Sequence, residues 1–119
     1  MVTLLLLTSC GINPFQFEDP YNLNWVYQED ERRLNFKNTT ILNENGRKII
    51  RGTVENVGDE PWPQPTIHFA LLNRNLNVID TVSLRRINGL SVGQTWEYTL
   101  RPQTVTNFYR ARFREPTGW

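Results

Sequence analysis

The sequence predicts an all-β protein, an antiparallel β-sandwich of six or seven short strands, on three observations. Beyond residue 20 no apolar run of helical spacing occurs, while strand-like segments recur about every 10–15 residues. Turn-forming residues separate those segments: Asn45-Gly46, the proline cluster between Pro61 and Pro65, and Asn73-Arg74-Asn75. A chain of 119 residues, 39% of them hydrophobic, carries enough apolar surface for one modest core.

The first strand candidate, Leu34 to Leu42, alternates imperfectly and ends at Asn43-Glu44-Asn45-Gly46. Asn and Gly both tolerate positive φ, so this is a hairpin turn. The returning strand puts Ile50, Gly52, Val54 and Asn56 on one face and Arg51, Thr53 and Glu55 on the other. Asp59-Glu60-Pro61-Trp62-Pro63-Gln64-Pro65 must be a connection, because proline cannot donate to a central ladder. Strands are then expected at Thr66–Leu72, at about Asn77–Leu84, and at Gln94–Leu100 with Trp96, Tyr98 and Leu100 inward. In the last strand Tyr109, Ala111 and Phe113 share one face and Arg110, Arg112 and Arg114 the other.

Composition narrows the function classes. Thirteen basic and 12 acidic side chains leave a net charge of +1, with no overall attraction to nucleic acid. A single cysteine excludes a disulfide framework within the chain and a zinc site built on several thiolates. No phosphate-binding glycine loop or nucleophile elbow occurs. No cofactor, metal or small-molecule substrate is indicated.

The N-terminal Leu4–Leu7 run is too short to span a bilayer. Leu7-Thr8-Ser9-Cys10-Gly11 resembles the bacterial lipobox, with two small residues before a cysteine that receives a diacylglycerol. No lysine or arginine precedes the run, which a start a few residues upstream would account for. The alternative is an apolar N-terminus or first strand with an incidental thiol. Gly11, Asn13, Pro14 and Pro20 suit a tether better than a core strand.

Ile50-x-Gly52-x-Val54-x-Asn56-x-Gly58, Phe69-Ala70-Leu71-Leu72-Asn73 and Leu90-x-x-Gly93-x-x-Trp96-x-Tyr98 together resemble the FxLYD domain. Leu72 and Asn73 stand where that motif has tyrosine and aspartate. The resemblance implies an immunoglobulin-like fold and an envelope address, and it transfers no catalytic residue or ligand. The expected organisation is a signal segment at 1–9, a lipidated N-terminus and tether at 10–31, the sandwich at 32–114 and a tail at 115–119.

Four features are candidates for chemistry. Cys10 is the expected lipidation site. Arg110, Arg112 and Arg114 form a basic row, reinforced by Arg101; it is either a solvated face offset by Glu55 or Glu97, or a docking surface for an acidic partner or a lipid headgroup. Trp62, held between two prolines, is either a rigid contact residue or a plug at the end of the sandwich. The lone His68 is expected at the surface rather than as a catalytic base. The expectation is therefore a non-enzymatic binding or structural module, lipid-anchored in a bacterial envelope and meeting an envelope protein rather than nucleic acid. The competing expectation is a soluble β-sandwich accessory subunit without lipidation.

Overall fold

A computed structural model describes residues 22–118. Cys10, the expected signal segment, most of the expected tether and Trp119 lie outside the described residues. Seven strands follow in order: β1 (Trp25–Glu29), β2 (Arg32–Glu44), β3 (Arg47–Asn56), β4 (Thr66–Leu72), β5 (Val78–Arg85), β6 (Thr95–Leu100) and β7 (Arg110–Thr117). They form a four-stranded sheet, β1-β2-β3-β6, and a three-stranded sheet, β5-β4-β7, with every pair antiparallel. The chain changes sheet between β3 and β4, β5 and β6, and β6 and β7. This is an immunoglobulin-like β-sandwich.

Local chemistry explains the hairpin joining β2 and β3. Asn45 and Gly46 both adopt positive φ, 54° and 81°, as a two-residue turn matched to strand twist requires. The imperfect alternation of β2 has a specific cause. Lys37 pairs with Thr53 and Thr40 with Arg51, so Asn38 and Thr39 together oppose Gly52 in a β-bulge with Asn38 at φ 58°. The extra residue reverses the inward parity, which runs Leu34 and Phe36 before the bulge and Ile41 after it. Gly52 has no room for a side chain: a Cβ there would lie 2.8 Å from the Tyr98 hydroxyl and 3.1 Å from Thr39 Oγ1.

The core is aromatic where the two sheets meet. Phe113 of β7 packs at 4.4 Å from Phe36 of β2 and 4.5 Å from Phe69 of β4, measured between ring centroids. Trp25 of β1 stacks on Phe36 and also reaches Phe113. Fully buried Asn56 organises one end: its Nδ2 donates to the carbonyls of Glu60 and Leu90, and its Oδ1 accepts from Gly58 N. These bonds satisfy a side chain that would otherwise be costly to bury.

Three expectations need correction. The sandwich begins at Trp25 rather than at residue 32, because Trp25 and Tyr27 supply the contacts that carry a short edge strand. Residues 115–117, expected in a tail, continue β7, and Pro116 is accommodated because β7 is a sheet edge. Tyr109 precedes β7 and is 42% exposed rather than sharing the inward face of Ala111 and Phe113.

Candidate functional site

Trp62 does not form an exposed contact. It is 0% exposed, and its backbone exchanges hydrogen bonds with Leu90 at 3.0 and 2.8 Å across an isolated bridge. Its ring meets Tyr27 edge-on at 6.2 Å. The flanking prolines therefore fix a core plug at the end of the sandwich, and Trp62 offers no surface to a partner.

The arginine row is real, though its surroundings differ from those expected. In register, Arg110, Arg112 and Arg114 lie beside Leu72, Ala70 and His68 of β4. Ala70 and Leu72 are fully covered although they lie outside the core cluster. Glu55 and Glu97 belong to the other sheet and do not offset the row. Glu55 instead accepts from Lys37 at 2.9 Å. Arg101 is also elsewhere, donating through Nε and Nη2 to both oxygens of Glu44 at 2.7 and 3.0 Å. That pairing lowers the Glu44 carboxyl pKa and raises that of Arg101.

His68 sits at the centre of the same outer face. Its Nδ1 lies 2.6 Å from Ser83 Oγ on β5, and its Nε2 lies 2.9 Å from Thr117 Oγ1 on β7. The imidazole thus ties both edge strands to the central strand. Burial, and secondarily the Arg114 charge, lowers its pKa, which favours the neutral ring. Beside it, Thr81, Arg114 and Glu115 complete the lining of a shallow depression of about 240 Å³.

A second depression, of about 210 Å³, opens at the end of the sandwich that carries the β2–β3 hairpin. Lys48, Asn73, Arg74, Ile79, Asn107, Phe108 and Tyr109 line it. Lys48 Nζ donates to the Phe108 carbonyl at 2.7 Å, while Lys48 N donates to the Thr106 carbonyl and Tyr109 N to the Leu72 carbonyl. These bonds join β3, β4 and the loop before β7. Arg74 and Arg110 place their guanidinium carbons 5.2 and 5.4 Å from the Tyr109 ring centroid. Sequence reading missed Lys48, Arg74 and Tyr109 as a group. They are far apart in the chain, and only the aromatic beside Arg110 hinted at the cluster.

Among the described residues no group of three or more His, Cys, Asp or Glu side chains is placed to hold a metal ion. No helix among them is long and apolar enough to cross a membrane. No family model, curated protein or solved structure matches the chain.

Proposed function

We propose that this chain is a membrane-anchored lipoprotein of a bacterial envelope, its sandwich serving as a non-catalytic binding or structural module. The observation that carries this reading is Leu7-Thr8-Ser9-Cys10-Gly11 followed by a Gly-, Asn- and Pro-containing segment before the first strand. A thiol flanked by small residues suits enzymatic acylation, and two or more acyl chains hold a protein stably to a bilayer. The FxLYD-like elements between Ile50 and Tyr98 favour the same envelope address. The exposed cations of β7, Arg110 and Arg114, support a role in contact rather than catalysis.

Phase partitioning tests the anchor. Wild-type protein made in a lipoprotein-processing bacterium should enter the detergent phase, and a Cys10→Ser variant should stay aqueous. Wild type remaining in the aqueous phase, with an intact unacylated Met1 chain by mass spectrometry, would favour the soluble accessory subunit instead.

A further inference from the structure

The hairpin end of the sandwich combines three features. First, the depression there is cationic: neither its lining nor the Tyr109 ring stack holds a carboxylate, while Lys48 and Arg74 stand in that lining. Second, it presents apolar side chains to solvent, with Leu76, Val78 and Ile79 exposed at 46, 47 and 42%. Leu76 is held at φ 63°, a left-handed conformation that leucine rarely adopts. Asn73 imposes it. Its Oδ1 accepts from Asn75 N and Asn77 N, and its carbonyl accepts from Leu76 N.

Third, Trp25 pairs with Phe36, and Asn24 Oδ1 accepts from Thr39 N at 2.8 Å, so residues 22–24 lie beside the middle of β2, on the hairpin side of β1. Eleven residues separate Cys10 from Asn22 and, fully extended, reach at most about 40 Å.

We propose that the β4–β5 loop and the Lys48–Arg74 depression form a docking surface for anionic phospholipid headgroups. Leu76 and Val78 enter the interface, and the two cations meet headgroup phosphate. The membrane as partner rests on the anchor reading above: a chain lipidated at Cys10 would keep this surface within reach of a bilayer. Cations beside exposed apolar side chains match the polar–apolar gradient of a bilayer surface.

The test uses full-length Cys10→Ser, so that no acyl chain contributes, with vesicles of phosphatidylcholine alone or mixed with phosphatidylglycerol. Binding should require phosphatidylglycerol and weaken as salt rises. Lys48→Gln and Arg74→Gln should each lower it about fivefold. Arg85→Gln, an equal charge change on a strand end away from the hairpin, should leave it within about twofold. Leu76→Asn, which suits positive φ, should weaken binding with thermal stability kept or raised.

Equal binding to both vesicle types, or an equal loss with Arg85→Gln, overturns the proposal. So does a Leu76→Asn variant that loses stability and keeps binding. If inorganic phosphate shifts the Arg74 and Tyr109 NMR signals while anionic vesicles capture nothing, the depression takes the free ion and the membrane reading falls. Wild type that enters detergent while Cys10→Ser ignores phosphatidylglycerol removes only this proposal. Aqueous wild type with phosphatidylglycerol-dependent Cys10→Ser removes only the anchor and leaves the headgroup site standing.

Discussion

The Tyr27 hydroxyl donates to Glu115 Oε2 at 2.9 Å, linking the edge strand of one sheet to the edge strand of the other. Glu29 Oε1 lies 3.2 Å from the same hydroxyl. Burial first, and then these two carboxylates, raise the phenol pKa well above its usual value of 10.0. Tyr98, chiefly through burial, is pushed up to about 12, with the neighbouring Thr39 hydroxyl opposing. A raised pKa means that the unfolded chain loses its proton first. The corresponding stability is whole below pH 10 and drains away as pH climbs through the folded values. Urea midpoints should therefore fall above pH 10, less steeply in Tyr27→Phe. At neutral pH that variant should lose about 1 kcal/mol, the ordinary worth of one hydrogen bond.

Trp62→Ala should behave as a core truncation. Removing a fully buried indole that closes the end of the sandwich should cost about 3–5 kcal/mol. Urea unfolding monitored by circular dichroism reads this directly. A loss below 1 kcal/mol would contradict the packing described for this end.

Gly52→Ala tests the bulge. The new methyl group would crowd the Tyr98 hydroxyl, and overpacking of this kind costs about 1–3 kcal/mol. Tyr98→Phe removes the oxygen nearest the methyl, so the double variant should regain part of the loss. Additive losses in a double-mutant cycle would show that the two positions do not share the space.

His68 should give the stability curve an acidic limb. Its folded pKa lies below the usual 6.5, so the unfolded chain takes up the proton first. The contribution is present above pH 6.5 and is lost as pH falls through the folded value. Thermal midpoints measured downward from neutral pH should decline more gently in His68→Gln. In Arg114→Gln an NMR titration of the imidazole should move only part of the way back, since burial is the larger cause.

Much of the architecture was legible because it is written in local patterns. Alternation placed Trp96, Tyr98 and Leu100 inward, and Asn45-Gly46 announced the hairpin, since side-chain direction and turn sign depend on adjacent residues. β1 was hidden because a five-residue edge strand with one buried side chain has almost no periodic signal. The β2 bulge was hidden too, as its inserted residue simply looks like broken alternation.

By itself the sequence determined the all-β class, the strand segments from β2 to β7, the turn chemistry and the run of arginines on one face of β7. Tertiary structure alone decided that Trp62 points into the core, that Arg101 pairs with Glu44, and that Lys48, Arg74 and Tyr109 meet around one depression. The physical reason is range. A strand's pleat is set by neighbours one or two residues away, whereas the company each face keeps is set by strand order and sheet crossings that bring distant segments together.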